Sequence, residues 1–198
     1  MRRITIGVLG LQGAVQEHIK QIESLGHDSA IIKHPEQLDH IDGLILPGGE
    51  STVIRKLIDR YGFYEPIKQF ASKKKPIFGT CAGMVLVANM LHESPDSHLN
   101  LIDICVKRNA FGRQKESFEA MLDVKGMKTK YPAIFIRAPY ITKAGANVEI
   151  LTTYENHIVA AKQEHILVSS FHPELTGDNR FLNIFVDMVV KSLTTITN

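Results

Sequence analysis

The sequence has little cysteine. Two cysteines, Cys81 and Cys105, occur among 198 residues, and their spacing fits neither a zinc site nor a disulfide framework. A reducing compartment is therefore the default, and we expect the cytoplasm. A chain of this length buries roughly 70% of its unfolded surface, so a packed core can stabilise it without a disulfide or a bound metal.

The sequence also lacks a strong net charge and a long apolar run. Its 23 Lys and Arg residues nearly balance 21 Asp and Glu residues, for a net charge of +2, which indicates neither nucleic acid nor a membrane surface as a partner. No apolar run approaches the ~18 residues of a membrane span. Residues 4–11 are apolar and follow two arginines, but Gln12 interrupts them and no cleavage site follows. We therefore interpret them as a buried strand and its turn, not as a signal peptide.

Short apolar segments alternate with amphipathic ones in the first half of the chain. Strands are predicted at residues 4–9, 29–33 and 43–46 and directly before Cys81. This alternation predicts an α/β fold, a doubly wound and mainly parallel sheet flanked by helices. The length suits one domain over residues 1–198. The helix signals are Gly26 and Gly62 as stops, Ser51 as an N-cap and Pro66 as the opening of a further short helix.

From about residue 100 the predicted strands follow one another with short turns. This pattern predicts an antiparallel extension of the sheet, followed by a closing helix over residues 181–193. The predicted strands cover residues 101–108, 118–124, 133–137, 148–153, 158–161 and 166–170.

One stretch, Gly79-Thr80-Cys81-Ala82-Gly83, joins a predicted strand to a predicted helix. It has the Gly-x-Cys-x-Gly pattern of a nucleophile elbow, in which small residues two positions before and after the nucleophile permit a very sharp turn. The backbone N–H of Ala82 would supply half of an oxyanion hole. An isolated cysteine is more often an inert core residue, but the glycine frame reverses that expectation.

His172 and Glu174 are the base and the orienting group that Cys81 would need. They flank Pro173 at the end of a predicted strand, and proline favours an extended conformation at the residue before it. Side chains two residues apart in an extended segment point the same way, so Glu174 can reach one ring nitrogen of His172 while the other faces a thiol. The three residues would form a nucleophile, base and orienter triad. Without the elbow, a surface turn would be the simpler interpretation of His172 and Glu174.

Taken together, these stretches resemble the class I, triad-type glutamine amidotransferases, and within that class the glutaminase subunits of pyridoxal 5′-phosphate synthase. The resemblance covers nearly the whole chain, and the stretches at 10–13 and 108–114 are its most specific parts. One departure is Asn100, where the family commonly has glycine; asparagine tolerates left-handed backbone, so we expect little consequence. The matching stretches are residues 10–13 (Gly-Leu-Gln-Gly) with Glu17-His18, 46–52 (Leu-Pro-Gly-Gly-Glu-Ser-Thr), 79–84 (Gly-Thr-Cys-Ala-Gly-Met), 108–114 (Arg-Asn-Ala-Phe-Gly-Arg-Gln), 117–119 (Ser-Phe-Glu), 135–139 (Phe-Ile-Arg-Ala-Pro) and 170–175 (Ser-Phe-His-Pro-Glu-Leu).

The resemblance implies a flavodoxin-like fold and the hydrolysis of L-glutamine to L-glutamate and ammonia, with no cofactor and no metal. Cys81 would attack the side-chain amide carbon and form a γ-glutamyl thioester, which water then cleaves. His172 would take and return the proton, and Glu174 would orient His172.

The resemblance also implies the groups around the reacting amide. The oxyanion hole would combine the N–H of Ala82 with one from Gly48 or Gly49. Glu50 could meet the ammonium group of glutamine, and an arginine could bind its carboxylate. Which arginine does so is left open by the sequence. The implied glutamine-binding residues are Gly49, Glu50, Ser51, Arg108, Ile136 and Arg137.

The implied partner is the synthase subunit of the same enzyme, a (β/α)₈ barrel in a large hetero-oligomer. It would receive the ammonia and make pyridoxal 5′-phosphate, the vitamin B6 coenzyme. The resemblance further implies that docking completes the oxyanion hole. The Gly10–Gly13 turn and the Gly48-Gly49 pair suit such a change, because glycine changes φ and ψ at little steric cost.

Three alternatives stay open at this point. The chain could be a glutaminase that feeds another acceptor, such as imidazole glycerol phosphate synthesis, although the stretches at 10–13 and 108–114 favour the vitamin B6 pathway. It could be a cysteine peptidase or hydrolase of similar fold, indifferent to glutamine. It could also be a binding module whose thiol is a redox sensor or a core residue, which the joint presence of Cys81, His172 and Glu174 disfavours.

Overall fold

The structure is a computed structural model that describes residues 3–94, 98–111 and 116–195. The last part of the Arg-Asn-Ala-Phe-Gly-Arg-Gln stretch, residues 112–114, lies outside the described residues. Within the described residues, no helix is both long and apolar enough to cross a membrane.

One half of the main sheet is parallel. Its strand order is β2 (Asp28–Ile32), β1 (Thr5–Leu9), β3 (Gly43–Leu46), β4 (Ile77–Thr80) and β12 (Ile166–Ser169), and every neighbouring pair is parallel. This is the 2-1-3-4-5 order of flavodoxin-like folds. The predicted doubly wound α/β fold is therefore confirmed. The last strand was expected in the antiparallel extension, and that detail is wrong, because it continues the parallel half beside β4.

The other half of the sheet is mainly antiparallel. From β12 the sheet continues through β11 (His157–Gln163) and β9 (Tyr140–Ala144) to β6 (Ile102–Lys107). Two more strands complete it: β10 (Glu149–Tyr154) pairs with β11, and β5 (Ala88–Leu91) lies parallel to β6. The antiparallel extension is confirmed, but β5 and β9 were not predicted. The apolar run after Cys81 concealed the change from helix to β5.

Two predicted strands of the second half lie outside the main sheet. Strands β7 (Ser117–Leu122) and β8 (Tyr131–Ile136) form a separate antiparallel pair, so their placement in the extension was wrong. Strand β8 buries alternate side chains, and its Phe135 ring meets the Phe171 ring edge to face at 5.7 Å. The pair thus packs by its face against the aromatic residues beyond β12, instead of extending the sheet by hydrogen bonds.

The sheet is covered on both faces, as a doubly wound fold requires. Residues of β3 alternate between the two cores: Leu44 and Leu46 pack into one core and Ile45 into the other. On the second face, the ring of Phe78 lies 5.6 Å from that of Phe185 in the last helix. The helices are α1 (Val15–Ser24), α2 (Ser51–Arg60), α3 (Tyr64–Ser72), α4 (Ala82–Val87) and α5 (Arg180–Thr195), with 3₁₀ segments at Pro35–His40 and Pro173–Leu175.

Helix ends show where cap prediction succeeds and fails. Gly26 and Gly62 have φ of 77° and 70°, the left-handed conformation of a glycine stop, as predicted. Ser51 is not the N-cap of α2 but its first residue. Glu50 caps the helix, because its longer side chain reaches two backbone N–H groups. Helix α3 begins at Tyr64, so Pro66 is its third residue and does not open it.

Asn100 adopts a left-handed conformation with φ of 53°. This agrees with the expectation that asparagine can replace a glycine at this position, since asparagine tolerates that region better than most residues.

Candidate active site

Three loops meet where parallel strands end. The Gly10–Gly13 turn follows β1, the Gly48-Gly49 pair follows β3, and Cys81 follows β4. These strands are neighbours in the sheet, so their carboxyl ends share one edge, the place where open α/β sheets bind ligands. A cavity of about 400 Å³ opens there.

Cys81 occupies a sharp turn between β4 and α4. Its φ of 50° and ψ of −103° are unusual for a residue with a side chain, and such strain is typical of a nucleophile elbow. A Cβ at Gly79 would lie 2.5 Å from the carbonyl oxygen of Gly83, and a Cβ at Gly83 would collide with the carbonyl oxygen of Leu46. Both glycines are therefore required for the close approach of strand and helix, and the thiol faces the cavity.

His172 and Glu174 form a buried pair at the same edge. His172 Nδ1 lies 2.6 Å from Glu174 Oε1. The pairing was expected from an extended segment, and that explanation is wrong. Glu174 lies in the 3₁₀ segment that begins at Pro173, and this tight turn folds the carboxylate back onto the ring. The backbone of His172 is held by a 2.8 Å hydrogen bond from its N–H to the carbonyl of Ile134.

The charge state of this pair follows from burial and from its neighbours. Burial disfavours the imidazolium form of His172, but its contacts with Cys81 and Glu174 outweigh that cost and raise the pKa of His172 to about 10. Burial likewise favours the neutral form of Glu174, but the imidazoles of His18 and His172 hold the pKa of Glu174 below its usual value. At neutral pH the ring is therefore an imidazolium beside a carboxylate.

The Gly48-Gly49 pair is held against the start of α1. The carbonyl of Gly48 accepts a 3.1 Å hydrogen bond from the N–H of Ala14, and the side chain of Gln12 accepts a 3.0 Å hydrogen bond from the N–H of Glu50. A Cβ at Gly48 would lie 2.5 Å from Cε1 of His172 and 3.5 Å from Cβ of Cys81. Gly48 therefore lies beside both members of the thiol–imidazole pair, with no room for a side chain.

Glu50 is exposed at the mouth of the cavity, where it caps α2. Its two carboxylate oxygens accept hydrogen bonds from the N–H groups of Thr52 and Val53, at 3.1 and 2.8 Å. Partial burial would raise the pKa of Glu50, but these bonds and the nearby Arg108 lower it. The carboxylate is thus ionised and fixed. Ser51, which also lines the cavity, is buried.

The two arginines differ in their surroundings. The guanidinium of Arg108 lies 3.9 Å from a carboxylate oxygen of Glu93 and 3.4 Å from the hydroxyl of Thr52. Arg137 is exposed and has φ of 42°. Beside it, the carbonyl of Ile136 accepts a long 3.9 Å contact from the thiol of Cys81.

All the predicted site residues except Glu174 line this cavity, and Glu174 contacts the ring of His172 from the buried side. Several lining residues were not assigned from the sequence. Val85 follows Cys81 by one helical turn, a spacing that could have identified it. Gln12 lies in the Gly-Leu-Gln-Gly stretch, where a lone polar residue between glycines was the available signal. The other unassigned lining residues are Ala14, Asn109 and Pro139.

Comparisons with known proteins identify the fold and the family. The fold matches a crystal structure of a glutamine amidotransferase with a TM-score of 0.89 and 38% identity, over 93% of this chain and 98% of that one. PurLQS from Thermotoga maritima shares the fold, with a TM-score of 0.67 at 15% identity and full coverage of both chains. The class that fold and site define is therefore the glutamine amidotransferases.

The sequence narrows the class further. Residues 8–191 match the SNO glutamine amidotransferase family, and the chain belongs to that family. It is similar to the pyridoxal 5′-phosphate synthase subunit PdxT of Geobacillus kaustophilus, with 56% identity over 93% of this chain and 94% of that protein. The protein of the same name from Bacillus licheniformis is 55% identical, over 95% of this chain and 96% of that protein.

Proposed function

We propose that this chain, as a single domain over residues 1–198, is the glutaminase subunit of a pyridoxal 5′-phosphate synthase in vitamin B6 biosynthesis. It hydrolyses L-glutamine to L-glutamate and ammonia in the cytoplasm. The observation that carries the proposal is a thiol on a strained elbow, in contact with a buried His172–Glu174 pair, at a cavity that also holds fixed charges of both signs. The resemblance to PdxT proteins identifies the acceptor system.

The reaction assigns one role to each member of the triad. His172 holds the thiol proton as Cys81 sulfur attacks the side-chain amide carbon of glutamine, and it returns that proton to the departing ammonia. His172 then accepts a proton from the water that cleaves the γ-glutamyl thioester, releasing glutamate and restoring the thiol. Glu174 holds the ring in position and stabilises the imidazolium. The raised pKa of His172 suits the first half of this cycle, because the ring of the free chain already holds the proton that the departing ammonia needs.

The negative charge that develops on the amide oxygen needs two N–H donors. Ala82 is the first residue of α4, and its N–H has no intrahelical acceptor. The second donor is an N–H of the Gly48-Gly49 pair, which lies so near His172 that a Cβ at Gly48 would be 2.5 Å from Cε1 of the ring. Each such donor contributes roughly 3–4 kcal/mol in the transition state.

The charges around the cavity suit a zwitterionic amino acid. Glu50 meets the ammonium group, an arginine, Arg108 or Arg137, binds the α-carboxylate, and the remaining contacts come from the backbone of Gly49, Ser51 and Ile136. In this arrangement Glu50 has two tasks, because it also caps α2. Substitution by asparagine separates them, since asparagine caps a helix well but carries no charge.

Glu50→Asn should therefore keep the melting temperature of the wild type and raise KM for glutamine by at least ten-fold. Glu50→Ala should lose both stability and affinity. Wild-type KM in a folded Glu50→Asn variant would show that Glu50 is a cap only.

The ammonia acceptor is the (β/α)₈-barrel synthase subunit, with which the chain assembles into a large hetero-oligomer. The Gly10–Gly13 turn is linked to the loop after β3 by two hydrogen bonds: Ala14, which follows the turn, donates its N–H to the carbonyl of Gly48, and Gln12 accepts one from the N–H of Glu50. A docked subunit that displaced the Gly10–Gly13 turn would therefore also move the Gly48-Gly49 pair, which carries the second N–H donor of the oxyanion hole. Docking is thus a route to the active arrangement.

The test is glutamate release from glutamine by the purified chain, with and without the synthase subunit, beside Cys81→Ala. Release that rises with the synthase subunit and vanishes in the variant is the expected result. A rate of glutamate release that does not change when the synthase subunit is added would support the glutaminase activity and contradict the proposed partner. No release in either condition, with the complex formed, would reject the enzymatic function, and cleavage of peptides instead would indicate a peptidase.

A further inference from the structure

The second carboxylate oxygen of Glu174 faces a histidine that the proposed mechanism does not use. His18, in α1, has a completely buried side chain. Its Nε2 lies 3.5 Å from Glu174 Oε2 and 3.2 Å from the hydroxyl of Thr80. Within the described residues, Glu174 Oε2 is buried and accepts no hydrogen bond of normal length, so His18 Nε2 is the polar atom placed to serve it.

Helix α1 reaches the same segment at a second point. The side-chain amide of Gln21 donates a 2.9 Å hydrogen bond to the carbonyl of Pro173. Residues three apart on a helix lie on the same face, so His18 and Gln21 hold adjacent residues of the 3₁₀ segment from one side. Thr80, the other partner of His18, directly precedes Cys81. One helix therefore contacts both the elbow and the segment that carries the orienting carboxylate.

We propose that His18 is a positioning residue for the triad: its neutral ring presents Nε2–H to Glu174 Oε2 and thereby keeps Oε1 directed at His172. The inference deepens the proposed glutaminase function and rests on it for the role of Glu174. His18 touches neither glutamine nor the thiol in this arrangement, and it acts through the carboxylate.

The neutral form follows from burial. Burial lowers the pKa of His18, and the nearby imidazolium of His172 adds to that effect, while the carboxylates of Glu174 and Glu17 oppose it. These are the charged groups that face the ring, from its own helix and from the segment packed against it. A neutral imidazole has one N–H, so the tautomer decides whether Glu174 Oε2 faces an N–H or a nitrogen lone pair.

The Nε2–H tautomer fits the surroundings better. His18 Nδ1 is buried with no hydrogen-bond partner among the described residues. A proton on Nδ1 would leave a buried donor unpaired and would direct the Nε2 lone pair at a carboxylate oxygen. A proton on Nε2 removes that repulsion and supplies the missing donor. Each oxygen of Glu174 then faces an N–H, one from His172 and one from His18.

Two variants of nearly equal length isolate this N–H. Glutamine at position 18 can place an amide N–H where Nε2 lies, and methionine cannot. In the complex with the synthase subunit, His18→Met should lower kcat for glutamine hydrolysis at least ten-fold with KM within two-fold of the wild type. His18→Gln should recover kcat to within about three-fold of the wild type. His27→Met is the control, because His27 is also buried but precedes β2, at the opposite edge of the sheet.

A second readout does not depend on glutamine or on the synthase. In the isolated chain labelled with ¹⁵N-histidine, the imidazole of His172, assigned with His172→Gln, should titrate at least one pH unit lower in His18→Met than in the wild type. The titration in His18→Gln should stay near that of the wild type. A purely structural role for His18 would lower the melting temperature without moving this titration.

The outcomes separate the two proposals. Equal kcat values and equal His172 titrations in the methionine and glutamine variants would overturn the positioning role. If His18→Met does not fold, His18→Asn replaces it, since its amide reaches only the position of Nδ1. If the wild-type chain releases no glutamate even in the complex with the synthase subunit, the glutaminase proposal fails, while the His172 titration still tests the contact between His18 and Glu174.

Discussion

Glu174 Oε1 lies 2.6 Å from His172 Nδ1, and the residue between them, Pro173, begins the 3₁₀ turn that makes this contact. Proline suits the first position of such a turn, because its φ is already correct and its missing N–H would have no acceptor there. The base and its orienting group are thus held by a local backbone feature and buried by the rest of the fold.

Glu174→Gln tests the carboxylate with almost no change of shape. We expect kcat for glutamine hydrolysis to fall by about 10²–10⁴-fold, because an amide neither stabilises the imidazolium nor selects the correct tautomer of His172. The pKa of His172 should fall well below about 10, as measured by ¹⁵N titration. Glu164→Gln, at an exposed carboxylate, should leave both quantities unchanged. A Glu174→Gln variant with wild-type kcat would rule out the triad.

The raised pKa of His172 makes stability depend on pH in a defined window. The folded chain binds this proton more tightly than the unfolded chain, so the stabilisation is complete below about pH 6.5, the ordinary pKa of histidine, and is lost as the pH rises through about 10. The loss should be on the order of a few kcal/mol. Urea unfolding of the wild type and of His172→Gln between pH 6.5 and 10 measures it as the difference between the two curves. Parallel curves would contradict the assignment.

Gly48→Ala should disturb the thiol–imidazole pair directly. The added Cβ would lie 2.5 Å from Cε1 of His172, so the ring or the loop must shift. We expect kcat to fall at least ten-fold. Gly177→Ala is a matched control, because a Cβ there meets nothing within 4 Å. Kinetics and melting temperatures of the two variants make the comparison, and equal kcat values would mean that the site absorbs the methyl group by relaxation.

We expect Phe111 to hold in place the segment that contains Arg108, a residue that lines the cavity. Its ring makes edge-to-face contacts with Phe118, Phe135 and Tyr140 at 5.4–5.7 Å. Phe111→Leu keeps much of the apolar area but loses these contacts, each worth about 0.5–1.5 kcal/mol. We expect about 1–3 kcal/mol lower stability in urea unfolding and a higher KM for glutamine. An unchanged KM in the folded variant would show that Phe111 does not contribute to glutamine binding.

Much of the site was readable from the sequence because its chemistry is carried by short local patterns. The glycines around Cys81 specify the elbow, since only glycine avoids the contacts with Gly83 and Leu46. The His-Pro-Glu order specifies the pairing of His172 with Glu174, although through a 3₁₀ turn and not an extended strand. Ser51 was mistaken for a cap because a longer side chain one position earlier reached the same N–H groups.

Alternating apolar segments determined by themselves that the chain forms a doubly wound α/β sheet, because a strand or helix must bury its apolar face wherever it lies. The periodicity of apolar residues does not show which strands pair with one another in the sheet. The tertiary structure alone decided that residues 166–169 continue the parallel half beside β4, and that β7 and β8 leave the main sheet. It alone also placed His18, 156 positions before Glu174 in the numbering, at that carboxylate, since contacts between distant segments depend on packing and not on local sequence.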